Sequence, residues 1–223
     1  MLSWTRRLFL RRLRNRPLSR ANIFLRLFDV AHRAQLDGNF AEFGCFEGTS
    51  SQRALEAFYY RGGNPTGADP TEFHFFDSFE GLPALSEEDR YENVSDFEQG
   101  QYSASESAFR ARIEPFASNA AQIKVHRGFY HASLPALGTD VAQDLTLVHI
   151  DVDLQSSCDD VLAFLTDRIR PGCLIAFDDY YCYRGHPEYG VQKSLAKWLT
   201  REGFVATEYC NYDWAGKVFF VNR

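Results

Sequence analysis

Residues 147–153, LVHIDVD, and 172–180, GCLIAFDDY, are the two stretches from which the rest of the chain can be read. Each is an apolar, β-rich run that ends abruptly in carboxylates. If the two runs are neighbouring parallel strands, Asp151, Asp153, Asp178 and Asp179 converge on one sheet edge, and the carboxyl edge is where open α/β sheets bind their ligands. Like charges held that close repel, and they stay ionised together at low cost only when a divalent cation neutralises them. The pattern points to an enzyme with a hard-metal site.

Outward from this pair, strand signals alternate with helical patterns from residue 39 onward, which indicates parallel βαβ units with right-handed crossovers. Strands are predicted at 39–44 (NFAEFG), 72–78 (EFHFFDS), 122–128 (QIKVHRG), 145–152 (LTLVHIDV) and 172–178 (GCLIAFD), with two more at 204–210 (FVATEYC) and 217–222 (KVFFVN). The last two are joined by the short link 211–216, so they form a hairpin and the final strand runs antiparallel near the sheet edge. Val161, Leu162, Leu165 and Ile169 form the buried stripe of one crossover helix, which Pro171 and Gly172 stop. Ser156 and Ser157 each stand three residues before an aspartate, the arrangement of a capping box. Asp159 and Asp160 therefore read as first-turn helix residues and not as metal ligands. Val191, Leu195, Trp198 and Leu199 mark the last helix. Residues 83–104 fit no regular element. A loop of that length in a compact domain is read as a substrate-covering lid at 84–104, with Tyr91, Phe97 and Tyr102 as its contact surface.

With 223 residues, 45% of them hydrophobic, the chain can bury the core of one α/β domain at 38–223 and leaves no room for a second of similar size. No run approaches 18 apolar residues, so nothing spans a membrane, and the protein is expected to be soluble and cytoplasmic. The first 33 residues carry nine arginines against one aspartate, about +8, which leaves about −14 for the remainder to reach the net −6. Such an acidic body repels nucleic acid. Residues 1–37 read as an Arg-rich N-terminal helical extension. Ile23, Leu27, Val30, Ala31 and Ala34 recur at helical spacing, whereas Trp4, Leu8, Phe9, Leu10 and Leu13 share no clean face and argue against a membrane-surface helix. The extension is expected to cap the domain or to make homo-oligomer contacts, the alternatives being binding to a membrane or anionic partner and an organelle transit peptide. Five cysteines, at 45, 158, 173, 182 and 210, include no CxxC pair and lie mostly in apolar runs, as reduced packed thiols do.

The first strand runs into EFGCFEGTSS at 42–51, where Gly44 and Gly48 flank a turn and Thr49 to Ser51 can cap the helix that follows, whose free N–H groups can face a carboxylate or phosphate. The second strand ends in Asp77, roughly 30 residues later, and an acidic residue at that strand tip accepts hydrogen bonds from ribose hydroxyls in nucleotide-binding α/β folds. Together they favour an adenosine-containing cofactor. No GK[ST] follows the turn, which disfavours a P-loop nucleotidase.

The ordered set E-x-G-x-x-x-G, D-S-F-E-G-L-P at 77–83, D-x-D-L and D-D-Y resembles the macrocin O-methyltransferase family across roughly residues 38–200. The resemblance implies a Rossmann-like class I methyltransferase fold, with a seven-stranded, mostly parallel sheet, its last strand antiparallel and helices on both faces. It also implies S-adenosyl-L-methionine as cofactor and Mg2+, or another divalent cation, as metal. Carried over residue by residue, Glu42, Gly44, Gly48 and Thr49 would line the methionine and ribose end of the cofactor. Asp77 and Ser78 would hold the ribose, and Gly128 and Phe129 would pass near the adenine. Asp151, Asp178 and Asp179 match the metal carboxylates, Asp151 also bordering the cofactor, while Asp153 matches the general base and Gly190 opens the last helix. The family pattern D-x-D-L-Y-x-S-T is DVDLQSSC here, with Gln155 for tyrosine and Cys158 for threonine, and its G-x-F-x-x-T-L-P is GFYHASLP, with His131 and Ala132 where acidic residues are common. The chain is also shorter at both ends than the usual layout. The cofactor and metal positions survive these departures, which bear on the acceptor instead; the resemblance implies a small hydroxylated partner, expected to be glycosidic.

A sugar hydroxyl has a pKa far above neutrality, and a bound divalent cation lowers it while a carboxylate accepts the proton. Two other functions fit parts of the pattern: a D-x-D glycosyltransferase, and a non-catalytic S-adenosylmethionine-binding scaffold. His149, inside an apolar strand, reads first as a core histidine, and Tyr180, Tyr181 and Tyr183 read equally as pocket or core. Asp178→Asn is expected to abolish turnover while largely sparing cofactor binding, and EDTA treatment to remove activity; both are checked by a methyl-transfer assay beside calorimetric titration with S-adenosylhomocysteine.

Overall fold

The structure is a computed structural model and describes residues 2–63, 70–91 and 97–223. Strands β1 (Asn39–Phe43), β2 (Thr71–Asp77), β3 (Ala121–Arg127), β4 (Leu145–Ile150), β5 (Ile169–Phe177), β6 (Val205–Tyr212) and β7 (Gly216–Asn222) form one sheet in the order β3-β2-β1-β4-β5-β7-β6. All neighbours pair in parallel except β7, which is antiparallel to both β5 and β6. The hairpin expected from the short link thus inserts its second strand between β5 and the edge.

Among the described residues, seven α-helices accompany the sheet: α1 (Trp4–Arg14), α2 (Ile23–Arg33), α3 (Thr49–Arg61), α4 (Glu106–Ile113), the single turn α5 (Tyr130–Ser133), α6 (Gln155–Leu165) and α7 (Gly190–Glu202). The period-2 alternation of the strands sorts the core into two faces. Phe40, Phe73, Phe75, Leu147 and Leu174 pack with α1 to α4, whereas Phe43, Phe76, Val148, Ile150, Ile175 and Phe177 pack with α6 and α7. Burying both faces explains why β4 reads as one apolar run. The N-terminal helices belong to the first face: Leu10, Ile23, Phe24 and Leu27 are fully buried, and Arg6 of α1 pairs with the buried Glu56 of α3. No described helix is long and apolar enough to cross a membrane, and all five cysteines are free thiols.

Two local expectations are corrected. Pro171 and Gly172 do not stop a helix: α6 ends at Leu165, Ile169 already pairs with Leu145, and both breakers lie inside β5 where its register slips. Ser156 and Ser157 do not cap α6 either. The cap comes from Asp89, in a 3-10 turn of the 83–104 segment (Glu87–Asp89). Its carboxylate accepts from the Ser156 N–H (2.9 Å) and Ser156 hydroxyl (2.8 Å) on α6, and from the Ser86 N–H (2.9 Å) and Ser86 hydroxyl (2.7 Å) of its own loop. Asp89 is fully buried, so a carboxylate placed there satisfies helix N–H groups while tying the loop to α6. The proposed lid includes residues 92–96, which lie outside the described residues. On either side of them, Tyr91 packs on Tyr189 (4.4 Å between centroids) and Phe97 on Tyr183 (6.3 Å). Asp89→Ala is expected to cost about 2–4 kcal/mol, the loss of a cap plus stranded buried donors, read as a lower urea midpoint at unchanged slope.

Candidate functional site

Hydrogen bonds of the parallel ladder continue one residue past each strand and align the four strand tips. The Gly44 N–H donates to Phe76 O (3.0 Å), the Asp151 N–H to Phe43 O (2.9 Å) and the Asp178 N–H to Ile150 O (2.9 Å). Gly44, with φ +83, lies so close to β4 that a Cβ on it would come within 1.7 Å of the Asp151 carbonyl oxygen. Only glycine fits there. Beyond these tips opens a cavity of about 540 Å³, the size expected of a cofactor site. Gly44, Asp77, Ser78, Gly128, Phe129, Asp151 and Asp153 all line it, as do Ser86 and Tyr102 of the 83–104 segment.

Three of the residues assigned to the cofactor stand behind that wall. Gly48 caps α3 with φ +79 against the Phe109 ring, and the Thr49 hydroxyl accepts from Arg112 (3.3 Å). Glu42 is fully buried, with one carboxylate oxygen on the Ser51 hydroxyl and the other 3.0 Å from His149 Nδ1. Asp77, by contrast, faces the cavity and also builds it. Its Oδ2 accepts from the Cys45 and Phe46 N–H groups (2.7 and 2.9 Å) and its Oδ1 from the Phe79 N–H (2.7 Å). One carboxylate thus clamps the glycine turn after β1 to the turn after β2. Burial raises its pKa, and those three N–H donors work against the rise.

At the β4 and β5 tips the four aspartates do converge. Asp153 has φ +58, a left-handed conformation that aspartate tolerates, and its N–H donates to Asp179 Oδ2 (3.1 Å). Burial, then the charges of Asp179 and Asp178, push the Asp153 carboxyl up to about 8. Burial and Asp178 push Asp179 to about 6, and Asp151 is raised well above the usual range by burial and by its three neighbours. His149 is buried as the core reading expects, yet it is more than packing. Glu42 and His149 are register partners on β1 and β4, and donor atoms of His149, Asp151 and Asp178 lie within 4.8 Å of one another. Burial opposes charge on the His149 ring, but its hydrogen bond to Glu42 and the nearby carboxylates outweigh this and raise its pKa.

These donors fit a divalent cation: they are buried or half-buried, oxygen-rich and close. His149, Asp151 and Asp178 could hold it; an imidazole whose other nitrogen meets a carboxylate is a common metal ligand arrangement. The position facing Asp178 is taken by Arg20, whose guanidinium pairs with Asp178 Oδ2 and lines the same cavity. Sequence reading missed Arg20 because it comes from the link between α1 and α2, remote in sequence from every motif. It also set Asp160 aside with Asp159. Asp159 does pair with Lys197 (2.8 Å), but Asp160 lines the cavity near His131. Tyr180, Tyr181 and Tyr183 do not line it; Tyr183 instead reaches the Asp89 and Asp153 carbonyls (3.5 Å each). Gln155, standing where the resemblance has tyrosine, accepts from the N–H of Gly190, which opens α7 (3.1 Å).

A family model described as macrocin-O-methyltransferase (TylF) matches residues 19–203. Among solved structures, the O-methyltransferase NovP superposes with a TM-score of 0.72 at 17% identity, over 92% of this chain and 80% of that one. CalS11, a calicheamicin methyltransferase, gives 0.66 at 18%, over 97% and 91%. An O-methyltransferase from Bacillus cereus in complex with SAH gives 0.59 at 12%, over 100% and 93%. At these identities the structures show a shared fold. No curated protein matches the chain in sequence.

The raised carboxyls set the sign of a pH effect. Unfolded aspartates lose their protons near pH 4, whereas Asp179 and Asp153 keep theirs to about 6 and about 8. The native state binds more protons across that window, so stability falls as pH rises through it. In EDTA, the melting temperature is expected to drop between about pH 4 and about pH 8, and Asp153→Asn to flatten the upper part of the drop in a scanning calorimetry series.

Proposed function

The chain belongs to the macrocin O-methyltransferase family of S-adenosylmethionine-dependent O-methyltransferases, and on that premise we propose that it methylates a hydroxyl of a sugar or other polyhydroxylated natural product in a divalent-cation-dependent reaction. The observation that supports this reading is that one cavity runs along the strand tips from Gly128 and Asp77, where the nucleoside would sit, to Asp151 and Asp153. Donor and base open into the same space. Family membership leaves no ground for the glycosyltransferase and scaffold alternatives.

In this reaction the acceptor oxygen attacks the sulfonium methyl carbon in line. A C–O bond forms as the S–C bond breaks, sulfur leaves as the neutral thioether of S-adenosylhomocysteine, and the hydroxyl proton passes to Asp153. The left-handed backbone of Asp153 and its N–H bond to Asp179 fix where that carboxylate points. Burial and the neighbouring carboxylates raise its pKa, so it takes the proton in its ionised form, which a cation held by those neighbours would favour. Asp77 and Ser78 would orient the ribose, and Phe46 and Tyr102, edge to face at 6.0 Å, flank the opening. When bound, a cation held by Asp151, Asp178 and Asp179 supplies acidification of the acceptor hydroxyl and compensation of the clustered charge.

Methyl transfer from labelled S-adenosylmethionine to a panel of sugar nucleotides, glycosides and catechols tests the acceptor class; activity confined to catechols would sink the sugar assignment. Asp153→Asn is expected to lower kcat by about 10²–10⁴-fold with S-adenosylhomocysteine affinity unchanged. Asp77→Ala should weaken that affinity roughly tenfold to a hundredfold by calorimetry.

A further inference from the structure

We propose that Arg20 is a built-in rival of the divalent cation: guanidinium and metal compete for Asp178, so the carboxylate edge takes up metal only when Arg20 swings out. This inference rests on the reading that Asp151, Asp178 and Asp179 hold a cation.

Both occupants use one residue. Asp178 is 1% exposed and its Oδ2 has the Arg20 guanidinium as its charge partner, while Asp178 also belongs to the one group, among the described residues, whose donor atoms lie within 4.8 Å. Burial works against the charge on Arg20, yet Asp178, Asp151 and Asp179 together favour it. A second cation at Asp178 would meet that guanidinium at contact distance, where like charges repel strongly. The two cannot be bound together, and a guanidinium stays charged at any physiological pH, so the rivalry does not titrate away.

Arg20 is also held in place on purpose-built backbone. Asn22, 3% exposed, donates through Nδ2 to the carbonyls of Leu13 (3.0 Å), Arg16 (3.3 Å) and Pro17 (3.0 Å), and its Oδ1 accepts from the Ser19 N–H (2.8 Å). One buried amide winds the whole link between α1 and α2. The Leu18 carbonyl accepts from the Asp213 N–H (3.3 Å), which ties the link to the β6–β7 turn. Arg20 thus starts from a fixed backbone, while its side chain is 54% exposed and faces the open cavity, with room to leave. Whichever cation is present, the clustered carboxylates are compensated. An equilibrium that favours the Arg20-bound state lowers apparent metal affinity by the fraction of time the site is free.

The test is Mn2+ binding to the full-length protein, followed by the electron paramagnetic resonance signal of free Mn2+, for wild type, Arg20→Gln and Arg20→Lys. Arg20→Gln is expected to bind Mn2+ at least tenfold more tightly than wild type, with Arg20→Lys between them. Its melting temperature should lie below wild type in EDTA and rise further on adding Mn2+. Equal affinities, or weaker binding by Arg20→Gln, would overturn the rivalry while leaving the cation site standing. Absence of Mn2+ binding in wild type and variants alike would bring down the cation reading itself, and the rivalry with it.

Discussion

Four carboxylates at the tips of two adjacent strands impose a charge condition that the surrounding structure is built to meet. Asp151, Asp153, Asp178 and Asp179 cannot all ionise in a buried edge without compensation. The fold answers in several ways at once: carboxyl pKa values raised at Asp153 and Asp179, an N–H from Asp153 turned onto Asp179, the Glu42–His149 pair behind the edge, and Arg20 in front of it. Removing any one of these shifts the load onto the others. That coupling is why the chemistry of the edge cannot be assigned to a single residue.

A second theme is how few buried polar groups hold the irregular parts together. Asp77 clamps two strand-tip turns, Asp89 ties the 83–104 segment to α6, and Asn22 winds the link that carries Arg20. Each is an Asp or Asn with several partners. Each is buried, so leaving its donors or acceptors unpaired would be costly. These hydrogen bonds fix the loop residues that carry them to the neighbouring elements.

The seven strands and their directions were legible in the sequence because each apolar run ends sharply in a charged or glycine-bearing turn, and the 211–216 link allows only a hairpin. The convergence of the aspartates followed from strand adjacency alone. What stayed hidden was pairing across long sequence separation. Nothing local marks Arg20 as a partner of Asp178, Asp89 as the cap of α6, or Glu42 as the support of His149. Local rules even misled: Ser156 looked like a cap and Pro171 like a stop, but tertiary hydrogen bonding and the bulged register of β5 overrode both.

The close approach of Gly44 to the Asp151 carbonyl has a bearing on how such an enzyme can diversify. Because the turn after β1 and the carboxylate edge touch backbone to backbone, neither can move without the other. The cavity walls supplied by Arg20, Ser86 and Tyr102 lie outside that contact, on segments anchored by their own buried hubs. Substitutions at Ser86 or Tyr102 can therefore reshape the cavity while leaving the contact between the two strand tips in place.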